Sequence, residues 1–408
     1  VFRLPFNSII ERELSTPTVF RDEGKLSSEY VPPRLPHREE ELQRLAQTFR
    51  VMIESPGSMA PRLMVRGPLG TGKTALTKRF GADLEAYASR KGVPLRFAHV
   101  NCREEGSFFS VLKTLIKKYL KEEVPERGYS AEELLEMFVG TLEKRRLHML
   151  LAMDEVEVLV RKEGSDPLFN LTRLWEKVHP ERPKRLALIF VFREPECEEA
   201  LALLDSSTRS TLGYNTLRLG KYTPFQLKEI LQYRVEEAFK EDAVLPEALE
   251  LAADLAGERG DARFAIELIW LAGKQADVER SSKVLPEHVR VAQLHVNPTI
   301  REEHLKALAL HEKLLILAAA RLLQSSDSAY ISFGELKREY QAACEEYRER
   351  PRRHTQLWKY VKTLSSGGLL NTKTSGRGFR GRTTLIGLPA PSNLVRRQIE
   401  SLLEGGVD

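Results

Sequence analysis

The chain has 408 residues, 42% hydrophobic and 30% charged, with a formal net charge of +5. This composition excludes a disordered or collagen-like chain, and the length exceeds one ordinary core, so two or three domains are expected. No apolar run reaches the roughly 18 residues that would span a bilayer, and Cys102, Cys197 and Cys344 are too far apart for a spaced zinc or disulfide motif.

The first 29 residues show little periodicity and are expected to be extended or partly disordered. They lack a signal-peptide pattern, and the three cysteines read as reduced cytosolic thiols. Tyr30–Arg38 then holds Pro32, Pro33 and Pro36, so it is neither helix nor central strand. Such a rigid segment could wall a base pocket or serve as an inert linker. Leu42, Leu45, Phe49, Met52 and Ile53 follow at helical spacing.

Leu63-Met64-Val65 reads as a buried strand leading into Gly67-Pro68-Leu69-Gly70-Thr71-Gly72-Lys73-Thr74. This run fits the phosphate-binding loop: glycines let backbone N–H groups curl around an anion, and Gly70, Thr71 and Gly72 line the curl. Lys73 would reach the β- and γ-phosphates, and the Thr74 hydroxyl would hold Mg²⁺. Leu76, Phe80, Leu84, Tyr87 and Ala88 predict the helix whose N-terminus favours the same anion.

A strand is predicted over Leu95–Val100, and helices over Ser107–Leu120 and Ala131–Lys144. The next strand runs from His148 to Met153 and ends in Asp154-Glu155. Opposite a phosphate loop, Asp154 would coordinate the metal and Glu155 would polarise the attacking water. A fourth strand, Leu186–Phe192, ends at Arg193-Glu194. Alternating strands and helices imply an α/β fold, a parallel sheet covered on both faces with nucleotide at the strands' C-terminal edge.

From Tyr222 the strand signal disappears. Helices are predicted at Pro224–Phe239, Pro246–Ala256, Asp261–Ala276 and Pro286–His295, with Asp261 as N-cap of the third. Arg263 in that first turn opposes the helix dipole unless it faces an anion, the alternative being a solvated arginine. Asn297-Pro298 marks a boundary. Helices at His311–Leu323, Phe333–Tyr347 and His354–Leu364, then a glycine/arginine-rich hairpin closed by Thr384–Leu388, describe an α+β winged helix.

Arg350–Ile399 contains eleven Lys/Arg and no Asp or Glu, leaving the rest of the chain net acidic. This asymmetry points to a polyanionic partner at the C-terminal end. The third helix offers Thr355, Gln356, Lys359 and Lys362 to a DNA groove, with Arg352 and Arg353 just before it. Arg377, Arg380 and Arg382 of the hairpin suit phosphates or a minor groove. A protein-docking winged helix with a merely solvated basic surface is the other reading.

Together these residues resemble the archaeal origin-recognition and cell-division-control initiators, P-loop AAA+ ATPases with a helical lid and a C-terminal winged helix. The resemblance runs from about Val19 to Leu403 and is carried by Val19-Phe20-Arg21-Asp22-Glu23, Tyr30-Val31-Pro32, Arg34-Leu35-Pro36-His37-Arg38, Val100-Asn101-Cys102-Arg103, Ser210-Thr211-Leu212-Gly213, Tyr222-Thr223-Pro224, Gly260-Asp261-Ala262-Arg263 and Leu310-His311-Glu312-Lys313-Leu314. It implies a base over 1–220, a lid over 221–297 and a DNA-binding winged helix over 298–408. It further implies ATP/ADP and Mg²⁺ as cofactors, with Tyr30, Val31, His37, Arg38 and Tyr222 around the nucleotide and Arg263 as a lid arginine reaching the γ-phosphate. The helix Ser107–Leu120 takes the place of an insertion that touches DNA in that family. Implied partners are double-stranded origin DNA, the replicative helicase and other initiator protomers, in a cytoplasmic, nucleoid-associated setting.

Two departures stand out. Phe192-Arg193-Glu194 occupies the place of a polar first sensor, usually Asn. Ser207 stands where the family has an arginine for a neighbouring subunit's nucleotide, and Arg209 could replace it only with a shifted backbone. Slow ATP hydrolysis is the expectation, in a primary initiator or a divergent paralogue. The alternative is a nucleotide-gated winged-helix regulator without a replication role.

Overall fold

The computed structural model describes residues 10–11, 14–124, 128–174, 182–213, 215–296, 302–374 and 383–404. The chain divides into two compact units, one of residues 31–226 with 259–263, the other of the remaining segments.

The first unit is a five-stranded parallel sheet in the order β2-β3-β4-β1-β5. Its strands are β1 (Arg62–Gly67), β2 (Leu95–Asn101), β3 (His148–Asp154), β4 (Leu186–Arg193) and β5 (Thr216–Arg218). β3 and β4 are continuous apolar runs because helices cover both faces. On one face lie α1 (Glu39–Phe49) and α2 (Lys73–Arg90), packed on Leu150, Ala152, Ala187, Ile189 and Val191. On the other lie α3 (Phe108–Thr114), α4 (Ala131–Lys144) and α5 (Val156–Glu163), packed on Met149, Leu151, Met153, Phe190 and Phe192. A π-helical turn, Leu115–Tyr119, extends α3, so the predicted Ser107–Leu120 helix is present with a changed winding. Further along are α6 (Asp166–Thr172), α7 (Glu196–Leu203) and α8 (Ser206–Gly213). The short strand β5 was not predicted.

The predicted lid helices are α9 (Pro224–Ala238), α10 (Pro246–Gly257), α11 (Ala262–Val278) and α12 (Pro286–Val296). The expectation of an extended or disordered N-terminus is corrected over residues 15–29. Val19 and Phe20 are buried in the second unit, where the Phe20 ring lies 4.6 Å from Phe239. The Arg21 N–H donates to the Ala238 carbonyl (2.8 Å) and the Val19 N–H to Asp277 Oδ1 (2.8 Å). Isolated apolar residues of this kind leave no periodic trace.

The same unit holds α13 (Leu310–Gln324), β6 (Ile331–Ser332), α14 (Phe333–Glu346), α15 (His354–Ser366), β7 (Asn371–Thr374) and β8 (Thr384–Gly387). These strands form an antiparallel sheet in the order β6-β8-β7. A helix absent from the sequence reading, α16 (Ser392–Glu404), buries Val395, Ile399 and Leu403 in the winged-helix core. Among the described residues no helix is long and apolar enough to cross a membrane.

Candidate nucleotide and nucleic-acid sites

The loop between β1 and α2 is built to curl. Gly70 and Gly72 have φ of 72° and 82°, the left-handed region that side chains disfavour. Lys73 opens the 18-residue α2 and is itself buried, its Nζ donating to the Gly67 and Pro68 carbonyls at 2.7 Å each. Arg38 braces the loop from behind. Its Nη2 donates to Thr71 O (2.9 Å) and Gly220 O (3.3 Å), its Nη1 pairs with Glu41 (2.9 Å), and its guanidinium stacks 4.1 Å from the Tyr222 ring centre. His37, next to it, takes a left-handed backbone with φ 61°.

Thr74 and Asp154, eighty residues apart, meet at the sheet edge: Thr74 Oγ1 donates to Asp154 Oδ2 at 2.5 Å. The alternation of β3 explains this, since Asp154 shares parity with Leu150 and Ala152 and so faces α2. Burial pushes the Asp154 carboxyl up, but the adjacent His99 and the hydrogen bond from Thr74 outweigh it and hold the group below its ordinary value. His99 Nε2 is buried 3.4 Å from Oδ2, outside hydrogen-bond geometry. A hydroxyl and an ionised carboxylate side by side, below a lysine and a glycine loop, are hard oxygen donors suited to Mg²⁺ at a phosphate. The residues fit both groups.

Glu155 caps α5 in a left-handed conformation (φ 53°) and takes a hydrogen bond from Arg103 Nε. Sequence reasoning missed Glu157, a fully buried carboxylate whose Oε2 accepts the Arg193 N–H at 3.3 Å. Burial raises its pKa. Burial likewise lowers that of Lys73, opposed by the charges of Asp154 and Glu157.

The Gly-Asp-Ala-Arg segment is brought to the loop. The Ala262 N–H donates to Gly70 O (3.0 Å), and the Tyr222 N–H to Gly260 O (3.3 Å). A Cβ on Gly70 would strike the Asp261 carboxylate at 1.8 Å. Arg263 is exposed at this junction. Val31 belongs to this unit, whereas Tyr30 is counted with the second, where its hydroxyl bonds Glu237 (3.2 Å) and Arg234 lies 4.8 Å from its ring centre.

At the two departures, Arg193 pairs with Glu196 (2.8 Å), and Ser207 accepts a hydrogen bond from Arg173. Arg209 Nη2 donates to Ala202 O (3.0 Å) and Leu204 O (3.2 Å), which ties it to the end of α7 in its own chain. Asp205 accepts the Ser207 and Thr208 N–H groups at 2.9 Å each, and its bond from the Thr208 hydroxyl helps bring its pKa down to about 2.

In α15, Leu357, Val361 and Leu364 are buried while Thr355, Lys359 and Lys362 are exposed and Gln356 is half-buried. Arg352 and Arg353 are exposed ahead of it, and the Arg352 N–H donates to Tyr340 Oη (3.3 Å), which bonds His311 Nδ1 (2.8 Å). Arg377, Arg380 and Arg382 lie outside the described residues. Lys373, one of the eleven cations counted in sequence, is spent elsewhere. Its Nζ bonds Asp254 (2.7 Å) and Glu250 of α10 and lies 3.9 Å from the Tyr330 ring centre. Tyr330 also donates to Asp254 (2.7 Å), and Arg290 of α12 to Ala329 O (2.8 Å), so lid and winged helix are joined by buried and half-buried polar contacts.

A phosphate-loop sheet carrying a helical lid and a winged helix defines a AAA+ protein with a C-terminal nucleic-acid-binding type of domain. Three family descriptions match it in that order: "AAA domain" over residues 59–201, "Cdc6 AAA+ ATPase-type lid domain" over 228–294 and "CDC6, C terminal winged helix domain" over 303–398. The ORC1-type DNA replication protein 2 of Sulfolobus acidocaldarius is 34% identical, the match covering 97% of this chain and 98% of the relative. The crystal structure of Cdc6p from Pyrobaculum aerophilum superposes with a TM-score of 0.83 at 32% identity, covering 96% of this chain and 100% of that one. The Aeropyrum pernix ORC1 protein, solved in complex with DNA, gives a TM-score of 0.61 at 29% identity over 95% and 97% of the two chains. The chain belongs to the ORC1-type DNA replication protein family.

Proposed function

We propose that this protein is an ATP-governed replication initiator that binds duplex origin DNA and helps recruit the replicative helicase. The observation that carries the reading is the meeting of Thr74, next to Lys73, with Asp154, in a chain whose Arg350–Ile399 segment carries eleven Lys/Arg and no carboxylate. Gly70, Thr71, Gly72 and Lys73 hold the β- and γ-phosphates, and Thr74 and Asp154 hold Mg²⁺. Bound there, Mg²⁺ would neutralise developing charge on the phosphates. Glu155 orients and deprotonates water, and Arg263 reaches the γ-phosphate from the start of α11. Val31, His37, Tyr222 and Tyr30 wall the adenine side, with Arg38 supporting the loop. Hydrolysis is slow, because Arg193 replaces a water-orienting amide and Arg209 is engaged in its own chain.

The work divides between a base (1–220), a lid (221–297) and a winged helix (298–408). Arg352, Arg353, Thr355, Gln356, Lys359 and Lys362 meet DNA, joined by Arg377, Arg380 and Arg382. The joint of Lys373 with Glu250 and Asp254 lets the lid carry the winged helix when the nucleotide changes. Other initiator protomers are partners on the DNA, and the protein works at the nucleoid. The DNA-bound relative supports this reading over a purely protein-docking switch.

Duplex affinity measured against salt concentration tests it. Neutralising several phosphates gives a log–log slope of several units. A flat slope would remove the DNA face.

A further inference from the structure

Residues 347–353 connect α14 to α15, and Arg352 and Arg353 stand exposed at the end of this connection. Arg353 is the N-cap of α15, but its side chain caps nothing. Among the described residues neither arginine pairs with a carboxylate, so both charges are open to a polyanion. The backbone beside them is tied down from within. The Arg352 N–H donates to Tyr340 Oη (3.3 Å), and Tyr340 lies fully buried in the core of the winged helix. A phenylalanine would fill the same space, and a hydroxyl costs stability in an apolar core unless its hydrogen bonds are made. Tyr340 makes two. Its Oη accepts from Arg352, which leaves its one proton for His311 Nδ1 at 2.8 Å. His311, buried on α13, then carries its own proton on Nε2, which faces Glu349 of the same connection at 3.9 Å. Burial, reinforced by the Arg352 charge and opposed by Glu349, keeps the His311 pKa below its ordinary value, which leaves the imidazole neutral at pH 7.

We propose that His311 and Tyr340 are positioning residues for DNA: they fix the backbone of Arg352 so that its guanidinium meets a phosphate at the entry of α15. This rests on the DNA reading above. Neither side chain touches DNA, since both are buried. They act through the one residue whose N–H they hold. A loosened connection spreads the Arg352 guanidinium over more positions, and binding then has to supply the ordering that the buried pair supplies in advance. The proposal also gives physical work to His311 in the run Leu310-His311-Glu312-Lys313-Leu314, which neither the phosphate loop nor the exposed basic residues explain.

The test is a double-mutant cycle on duplex affinity and its salt dependence, with the full chain as parent, Tyr340→Phe, Arg352→Ala and the two combined. Tyr340→Phe keeps the ring and removes the hydroxyl. It should weaken duplex binding about threefold to tenfold and lower the log–log salt slope by about one unit, as Arg352→Ala does. The combined variant should be no more than about twofold weaker than Arg352→Ala alone. On the histidine side, His311→Asn keeps an acceptor near the place of Nδ1 and should bind within about twofold of the parent, whereas His311→Leu should behave as Tyr340→Phe does. Additive losses in the cycle, or an unchanged salt slope in Tyr340→Phe, overturn the proposal and leave the pair as core packing alone. Should Tyr340→Phe be too unstable to assay, the same cycle run with His311→Leu decides by the same criteria. A flat salt slope in the parent removes the DNA face and this proposal with it, while a steep parent slope with additive losses removes this proposal alone.

Discussion

The phosphate loop and the winged-helix face both gather positive charge, but by opposite means. Lys73 is buried, rests on two carbonyls, and lies near the charges of Asp154 and Glu157. Arg352, Arg353, Lys359 and Lys362 stand in solvent, above a helix anchored by the packing of Leu357, Val361 and Leu364. A buried charge acts in a fixed geometry with little screening, so its effect is concentrated in one residue. Exposed charges are screened and act as a sum, so each contributes modestly. The first region should therefore respond to substitution almost as a switch, the second by degrees.

The largest effect is expected at the loop. Lys73→Ala removes the cation proposed to meet the phosphates and should lower adenine nucleotide affinity by about a hundredfold or more, read by calorimetry. A loss of only a few-fold would erase the contrast with the exposed face. Next comes Lys359→Ala, for which duplex affinity should fall a few-fold and the salt slope should drop by about one unit. A collapse of binding from that one change would mean the face is a built pocket after all. The smallest effect belongs to Lys373→Ala. Its ammonium is committed to Glu250 and Asp254, so the salt slope should stay unchanged while stability falls by about 1 kcal/mol in thermal or urea unfolding. A reduced slope would return Lys373 to the DNA face.

The same contrast governs what could be read from sequence. β3, β4 and the Asp154-Glu155 end were legible because buried parallel strands are continuous apolar runs closed by polar residues. The phosphate loop was legible because its glycines answer a backbone demand visible at Gly70 and Gly72. Glu157 was not, since a carboxylate between Val156 and Val158 looks like solvated helix surface until the Arg193 N–H arrives beside it. The commitment of Lys373 was hidden for a similar reason, its partners lying 119 and 123 residues away. β5 and β6 are only three and two residues long. In α16 Arg396 and Arg397 fall between the buried Val395 and Ile399, so in sequence the segment counts with the basic residues and its packed face is hidden. At the N-terminus, Val19 and Phe20 anchor a segment that carries no repeat. Local periodicity reveals elements that bury a face, while single residues completed by distant partners stay silent.

The central claim is that the nucleotide held in the base sets how the winged helix meets DNA. Duplex affinity at fixed salt, compared between saturating ADP and a non-hydrolysable ATP analogue for the parent and for Lys73→Ala, tests it most directly. The account predicts that the parent's affinity differs between the two nucleotides and that the difference vanishes in the variant. Identical duplex affinity for the parent with either nucleotide would contradict it.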